Sequence, residues 1–362
     1  MKITFVVPTL NLSGGLRVVS TYAERLSQKG HDVTIVYPQE ASPSFKQRVK
    51  HFLNWKGYQF NSQFNSSYFD NVDYKVKITS NIQRVSSDDV PDADIVIATW
   101  WEIVEWISEF PSAKGLPIYF VQGLDTYNRV LPTERVEASY QSSIAKITIA
   151  KWLVDQMQEK STASVALVPN SVDHSLFYGE PRGKQSSPTI GFLFSETGSK
   201  GVAIALQVIA RLKAEIPDLR VLCFGAHPVK LIQLPDYIEF TINPAQEEIR
   251  KLYTQCDVWL CCSTLEGFGL TILEAMACRT PAVSTKCGGP EDMVTEGVNG
   301  YLCDVDDVAR LTLATKEILT LETQAWKAFS NAAYDFSNSY SWDDAADLFE
   351  AALINSLKVL KN

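Results

Sequence analysis

The sequence predicts an α/β protein with two doubly wound domains. Short apolar segments alternate with helical patterns along the chain, and a second such series begins near residue 189. The length of 362 residues supports two domains, because single hydrophobic cores stop growing near roughly 250–300 residues. Parallel sheets of this kind bind ligands beyond the carboxyl ends of their strands, so functional residues are expected there.

The first domain is predicted from a βαβ unit at the start of the chain. The apolar run 3–7 ends at Pro8, as expected of a buried parallel strand. Apolar residues with helical spacing follow between Val18 and Leu26, and segment 33–37 is the next strand. Further strands are predicted at 94–98, 117–121, 146–150 and 163–168.

The second series gives the second domain. Strands are predicted at 189–194, 219–224, 258–262 and 281–284, with an amphipathic helix over 202–213. The polar, turn-rich stretch 179–188 is the best candidate for a linker. We therefore expect domains over residues 1–173 and 174–335, followed by a C-terminal segment over 336–362.

Composition excludes several classes of protein. The net charge of −9 argues against a general nucleic-acid binder. No stretch approaches the ~20 apolar residues that span a bilayer, and the N-terminus resembles a strand more than a signal peptide, so a cytoplasmic location is expected. The seven cysteines form no CxxC pair, which argues against zinc and favours reduced, buried thiols.

The most informative motif contains two glutamates, Glu266 and Glu274, around a strand-to-helix junction. Gly267 and Gly269 permit tight backbone geometry and close approach of a ligand before a helix that starts near Leu270. The N-terminus of that helix suits a phosphate, and the two carboxylates can accept hydrogen bonds from sugar and ribose hydroxyls. This combination predicts a nucleotide-sugar site, although Asp and Glu near helix starts also occur for dipole reasons alone.

This segment resembles the donor-site signature of retaining glycosyltransferases of family 4. The resemblance covers nearly the whole chain, through Gly14 and Gly15, segment 169–173, Lys200 and the Glu266–Glu274 block. It implies the GT-B fold, in which two Rossmann-like domains face each other across a cleft. It also implies that the last helix, within 336–362, crosses back to the N-terminal domain.

The resemblance assigns roles residue by residue. Glu266 is expected to bind the donor sugar, Lys200 to neutralise the leaving diphosphate and Glu274 to bind the ribose. The remaining residues expected to contact the donor are Gly14, Gly15, Gln122, Ser195, Gly267, Phe268, Gly269, Leu270 and Thr271. Gly14 and Gly15 also suit a simple strand-to-helix turn, and Lys200 could instead be a solvated lysine at a helix start.

Two departures from the family pattern are visible. Relatives carry an arginine after the first strand of the second domain, where this chain has Phe192, Leu193 and Phe194, so only Lys200 remains. Relatives also carry a histidine where this chain has Gln122, which can form hydrogen bonds with a sugar but does not titrate.

The resemblance implies transfer of a hexose with retention of configuration, from a UDP-sugar as the favoured donor, to a glycan or lipid-linked acceptor in surface polysaccharide synthesis. Front-face attack, in which the departing diphosphate takes the proton, needs no metal and no cofactor. Trp100, Trp101 and Asp125 follow strands of the first domain and are candidates for contacting the acceptor. Ordinary packing also accounts for the two tryptophans.

A basic and aromatic stretch, 45–58, contains Lys46, Arg48, Lys50 and Lys56. It suits peripheral contact with an anionic membrane at the inner face of the plasma membrane, or a solvated helix or loop.

Other functions remain as alternatives. A non-catalytic nucleotide-sugar-binding subunit is favoured by the missing arginine, and a sugar-nucleotide epimerase is possible on the same fold. A dinucleotide fingerprint is absent from the sequence, and segment 198–200 lacks phosphate-loop spacing, so NAD and ATP chemistry are not supported.

Overall fold

The structure is a computed structural model that describes residues 1–10, 13–39, 67–70, 72–82, 84–127, 131–229 and 231–359. The chain divides into two compact units. The first unit comprises Met1–Ile149, Leu153–Val168 and Ala346–Asn362, and the second comprises Ala150–Trp152 and Pro169–Ala345.

The first unit is built on a seven-stranded parallel sheet with the order β3-β2-β1-β4-β5-β6-β7. Its strands are β1 Lys2–Val6, β2 Asp32–Gln39, β3 Lys75–Ile82, β4 Ile95–Ala98, β5 Leu116–Val121, β6 Ala145–Thr148 and β7 Val165–Leu167. Strand β1 pairs with β2 on one side and β4 on the other, since Ile3 lies opposite both Val33 and Ile95. The direction of winding therefore reverses between β1 and β4.

Helices cover the first sheet. Their bounds are α1 Gly14–Gln28, α2 Trp101–Ser108, α3 Thr133–Gln141, α4 Lys151–Lys160 and α10 Trp342–Val359. The first two residues of α4 belong to the second unit. The part of α10 that belongs to this unit contributes Phe349, which is fully buried and stacks on Tyr22 at 4.4 Å. Phe349 also meets Phe120 edge-on at 5.2 Å. The end of the chain thus completes the core of the first unit.

The second unit is built on a six-stranded parallel sheet with the order β10-β9-β8-β11-β12-β13. Its strands are β8 Thr189–Leu193, β9 Arg220–Gly225, β10 Ile238–Ile242, β11 Val258–Cys261, β12 Ala282–Thr285 and β13 Gly300–Cys303. Its helices are α5 Val202–Glu215, α6 Gln246–Thr254, α7 Leu270–Ala277, α8 Val308–Thr320 and α9 Thr323–Asn338. Here the reversal lies between β8 and β11.

These two parallel sheets confirm the predicted α/β class. All the strands that the apolar runs predicted are present, with ends that differ by a few residues. Strands β3, β10 and β13 were missed because they are half-exposed or short, and β3 carries no continuous apolar run.

The stretch 179–188, which we expected to connect the domains, is instead part of the second unit. Lys184 Nζ donates hydrogen bonds to the carbonyls of Leu319 and Leu321 at 2.6 and 2.9 Å. The backbone N–H of Gln185 donates to the buried Asp257 carboxylate at 2.8 Å. Polar, turn-forming residues predict irregular structure here but not which unit holds it.

Two further observations bear on the predicted class of protein. All seven cysteines are free and buried, as expected of structural thiols. Among the helices of the described ranges, none combines the length and apolarity needed to cross a bilayer. The basic segment with Lys46, Arg48, Lys50 and Lys56 lies outside the described residues.

Candidate functional site

A small pocket lies at the point where the second sheet reverses its winding. Residues at the ends of β8 and β11 line it, together with the turn before α5 and the loop after β11. The lining residues that carry polar side chains are Lys200, Ser263, Glu266 and Thr271. The carboxyl ends of strands at such a reversal are the usual ligand-binding position in open α/β sheets.

Lys200 and Glu266 form an ion pair in this pocket. Lys200 Nζ lies 2.7 Å from Glu266 Oε1, and Ser263 Oγ donates to the same oxygen at 2.7 Å. Their side chains are 31% and 13% exposed. Burial lowers the pKa of Lys200, but the nearby Glu266 carboxylate more than compensates, so the pKa is raised above its ordinary value. Lys200 is therefore a cation throughout the neutral range.

Backbone contacts bring these two residues together. The N–H of Thr264 donates to the carbonyl of Ser199 at 2.8 Å, which joins the loop after β11 to the turn before α5. Gly201 follows with φ of +62°, and a Cβ there would lie 1.8 Å from the carbonyl oxygen of Cys262. Only glycine permits this close approach, which places Lys200 beside Glu266.

The segment 266–269, here called the donor loop, is fixed on one side by residues 287–289. The N–H of Glu266 donates to the Cys287 carbonyl at 2.7 Å, and the N–H of Gly289 donates to the Glu266 carbonyl at 3.1 Å. A Cβ on Gly289 would lie 2.1 Å from the carbonyl oxygen of Phe268. The Gly-Gly-Pro-Glu sequence thus supports the backbone of the donor loop.

Helix α7 begins directly after the donor loop. Gly269 stands at its N-cap with φ of +97°, a left-handed conformation that favours glycine. Leu270 and Thr271 occupy the first helical positions, and their N–H groups have no acceptor among the described residues. These donors, the positive end of the helix and Lys200 make this corner of the pocket suitable for an anion.

Glu274 lies in the second turn of α7 and is 4% exposed. Its Oε2 accepts a hydrogen bond at 2.9 Å from the hydroxyl of the fully buried Tyr253. Tyr253 therefore fixes the orientation of the Glu274 carboxylate. Sequence reasoning placed Glu274 at this end of the helix but had no signal for Tyr253, which comes from α6.

Ser195 and its neighbours occupy the position where the family resemblance implies an arginine. Phe192 and Phe194 are 1% and 3% exposed and belong to the core of the second unit. Ser195 follows them, and its Oγ accepts a hydrogen bond from the N–H of Thr197 at 3.2 Å. Of the residues that line the pocket in the described part of the chain, Lys200 is the only basic one.

The predicted site residues of the first unit lie at the carboxyl ends of β1 and β5. Gly14 and Gly15 are the first residues of α1, and Ser13 Oγ caps the helix by accepting from the N–H of Leu16 at 3.4 Å. A Cβ on Gly15 would approach Gln122 Oε1 only to 3.5 Å, an ordinary contact. No crowding by the described residues requires glycine at position 15.

Asp125 lies in a loop of the first unit that follows β5. The backbone N–H of Asp125 donates a hydrogen bond to the hydroxyl of Tyr140, from α3, at 2.8 Å. Burial raises the pKa of the Asp125 carboxyl to about 7, although the Tyr140 hydroxyl partly opposes the rise. The carboxyl group is therefore poised to change protonation near neutral pH.

The two tryptophans after β4 differ in their surroundings. Trp100 is partly buried at the N-cap of α2. Trp101 is only 3% exposed, and the Arg135 guanidinium covers its ring at 4.9 Å from the centroid. Arg135 is held there by Glu105 at 3.0 Å. Trp101 therefore packs within the first unit, and acceptor contact by Trp100 and Trp101 stays a prediction.

The structure adds residues that the motif did not indicate. Ser263, Tyr253 and Trp152 each donate a hydrogen bond to the predicted site, at Glu266, Glu274 and Gly267 respectively. Trp152 is separated from Gly267 by 115 positions, so no local pattern could reveal the contact. Within the described residues, no three His, Cys, Asp or Glu side chains assemble into a group that could hold a metal ion.

Solved structures of other proteins share the fold of this chain. HepE of Anabaena, solved with UDP, superposes with a TM-score of 0.73 at 16% identity, covering 98% of this chain and 100% of HepE. Sucrose-phosphate synthase from Thermosynechococcus elongatus gives a TM-score of 0.71 at 15% identity, covering 99% of both chains. The protein therefore has the GT-B fold.

Part of the sequence matches a family model and several curated relatives. Residues 181–336 match the family model described as "Glycosyl transferases group 1". D-inositol 3-phosphate glycosyltransferase of Mycolicibacterium smegmatis is 31% identical over 161 residues, which is 41% of this chain and 36% of that protein. N-acetyl-alpha-D-glucosaminyl L-malate synthase of Bacillus anthracis is 34% identical over 116 residues, which is 30% of each chain. The chain thus spans about a third of the length of these two curated relatives.

Proposed function

We propose that this protein is a retaining glycosyltransferase that transfers a hexose from a UDP-sugar to a glycan or lipid-linked acceptor in surface polysaccharide synthesis. One observation carries the proposal. Lys200, Glu266 and Thr271, which lies in the first turn of α7, line one pocket at the carboxyl ends of β8 and β11.

The anionic part of the donor suits the corner formed by Lys200 and α7. A diphosphate carries charge that the Lys200 ammonium neutralises and that the N–H groups of Leu270 and Thr271 can bind. Because the Lys200 side chain is 31% exposed, solvent and ligand can reach it in this unit. When the donor binds, an interaction of Lys200 with the diphosphate would replace part of its interaction with Glu266.

The hydroxyl groups of the donor suit the two glutamates. A carboxylate offers two acceptor oxygens. Glu266 can therefore accept a hydrogen bond from a sugar hydroxyl while Ser263 Oγ keeps its hydrogen bond to Oε1. Tyr253 orients the Glu274 carboxylate by a hydrogen bond to Oε2, and a carboxylate fixed in this way is suited to accept hydrogen bonds from ribose hydroxyls. Both roles match those that the resemblance assigns.

The proposed reaction exchanges one bond at the anomeric carbon. The acceptor oxygen forms a bond to that carbon on the face that the diphosphate leaves, and the carbon–oxygen bond to the diphosphate breaks. The leaving diphosphate takes both the bonding electron pair and the proton of the acceptor hydroxyl. Lys200 and the α7 N–H groups stabilise the charge that develops on the diphosphate, which is electrostatic catalysis by preorganised donors.

Similar proteins support UDP as the nucleotide of the donor, but they do not indicate one class of acceptor. HepE was solved with UDP, and with UDP-glucose in a further structure. The names of two relatives specify acceptors as different as D-inositol 3-phosphate and L-malate. A glycan or lipid-linked acceptor is therefore our proposal from the resemblance of the whole chain.

The test is binding and turnover with UDP-, GDP- and dTDP-sugars. Calorimetry on the wild type should detect UDP and UDP-sugars, and Glu274→Ala should weaken the binding. Slow release of UDP from one UDP-sugar, detected by an enzyme-coupled assay, would establish catalysis. The absence of binding with all three nucleotide classes would refute the proposal.

A non-catalytic nucleotide-sugar-binding subunit is the second candidate. The observation in its favour is the burial of Phe192 and Phe194 at the strand end where the resemblance implies an arginine, which leaves a single cation among the described residues that line the pocket. It predicts UDP-sugar binding without hydrolysis or transfer. Measurable turnover by the wild type that is lost in Lys200→Met would exclude it.

A further inference from the structure

Trp152 contacts the donor loop from outside the pocket. Its indole Nε1 donates a hydrogen bond to the Gly267 carbonyl at 3.0 Å. A Cβ on Gly288 would lie 2.6 Å from Trp152 Cε2, so the ring packs directly on the backbone at Gly288. Trp152 belongs to the second unit, as do both of its partners.

The hydrogen bond fixes a peptide plane of the donor loop. In a trans peptide the C=O and the following N–H point in opposite directions, and the described chain contains no cis peptide bond. With the Gly267 carbonyl held on the indole, the N–H of Phe268 must point away from it. Trp152 therefore sets the direction of a backbone donor in the loop that carries Glu266.

The same contact also holds the two segments of the site together. Gly288 forms a bridge with Glu266, and Gly288 adopts a φ of +106° that favours glycine. A larger residue at 288 would displace the indole. Next to Trp152, the N–H of Lys151 donates to Asp292 Oδ2 at 2.8 Å. Residues 151 and 152 thus anchor both 266–269 and 288–292.

We propose that Trp152 is a positioning residue for the donor, which holds the donor loop in the conformation that binds the diphosphate part of a UDP-sugar. This inference rests on the proposed function. Trp152 needs no contact with the donor, because it acts through the Gly267–Phe268 peptide. Because Trp152 acts on the loop that binds the donor and not on the reacting atoms, we expect it to change donor binding more than kcat.

The test compares Trp152→Phe with a matched control. Phenylalanine keeps an aromatic ring on Gly288 but removes the indole N–H. Trp326→Phe removes an equivalent hydrogen bond, from Trp326 Nε1 to the Asp257 carbonyl at 2.9 Å, at a fully buried position on α9. Both variants lose one indole donor within the second unit, and only one of them touches the donor loop.

Calorimetry with UDP should show a Kd about 5- to 10-fold higher for Trp152→Phe, which is the effect of one net hydrogen bond. Trp326→Phe should bind UDP like the wild type, whatever its melting temperature. The KM for the UDP-sugar should rise by a similar factor while kcat changes less than about twofold. An unchanged Kd in Trp152→Phe would overturn the inference.

A measurement without ligand separates this inference from the proposed function. Hydrogen exchange, followed by mass spectrometry of peptides covering residues 266–270, should be faster in Trp152→Phe and unchanged in Trp326→Phe. If the wild type binds no nucleotide, the proposed function fails. Faster exchange would then still show that Trp152 positions the loop, whereas unchanged exchange would show that it does not.

Discussion

Replacement of Lys200 by methionine tests the central electrostatic feature of the site. Methionine keeps most of the apolar stem of lysine and removes the ammonium group that lies 2.7 Å from Glu266. Glu266 is 13% exposed and then retains the Ser263 hydroxyl but no cation. Two quantities should change, the free energy of unfolding and the rate of transfer.

The expected magnitudes follow from the burial of the pair. Breaking a fully buried ion pair costs about 3–5 kcal/mol, and the partial exposure of Lys200 reduces this to about 1–3 kcal/mol for Lys200→Met. Loss of a preorganised donor to the leaving group costs about 2.7–4 kcal/mol in the transition state, or about 10²–10³ in kcat. Catalysis should therefore suffer more than stability.

The pH dependence of the stability effect has a defined sign. The pKa of Lys200 is raised in the folded protein, so its contribution is complete below the unfolded pKa and is lost only as pH rises through the folded value. Both values lie above the neutral range. The stability difference between wild type and Lys200→Met should be the same at about pH 7 and about pH 8.

The assay is urea unfolding combined with UDP-sugar turnover. A double-mutant cycle of Lys200→Met and Glu266→Gln should give a coupling energy of about 1–3 kcal/mol. Lys286→Met removes a cation from an exposed pair with Asp304, at 2.8 Å, and should change neither the melting temperature nor turnover. If Lys200→Met loses stability but keeps full kcat, Lys200 is a structural ion-pair partner and the reasoning is refuted.

Three further predictions concern the fold and the first unit. Gly201→Ala should lose about 3 kcal/mol or more in urea unfolding, because its Cβ meets a backbone carbonyl at 1.8 Å, whereas Gly198→Ala, with open space around it, should change little. The raised pKa of Asp125 means that the folded protein binds a proton more tightly than the unfolded chain, so stability falls as pH rises from about 4 to about 7. Asp125→Asn should remove that decline, and an unchanged pH profile would contradict the assignment. Phe349→Ala should cost about 3–5 kcal/mol because the ring is fully buried, while Leu348→Ala, 45% exposed, should cost less than about 0.5 kcal/mol.

The local features of the site could be predicted from sequence because they depend on neighbours in the chain. Gly269 before an apolar helical pattern predicted the start of α7, and the structure begins that helix at Leu270. The continuous apolar runs predicted buried parallel strands, since both faces of such a sheet are covered. The block from Glu266 to Glu274 lies within residues 181–336, the part of the chain that matches the family model.

The strands that were missed show where the periodicity of apolar residues does not predict a strand. Strand β3 has exposed residues at 75–78, and β10 carries exposed Glu239 and Ile242. Edge strands contact one neighbour and bury less surface, so their apolar pattern is weak. Strand order decides which runs become edges, and this order is a tertiary property.

The sequence by itself determined the α/β class, the two series of strands and the motif around Glu266, because each depends on residues close together in the chain. Only the tertiary structure decided that Lys200 pairs with Glu266 across 66 positions and that Trp152 holds Gly267 across 115. It also decided that Trp101 is covered by Arg135 and that Tyr253 orients Glu274. Such contacts depend on the order of strands in each sheet and on the packing of helices against them, which no local pattern of residues specifies.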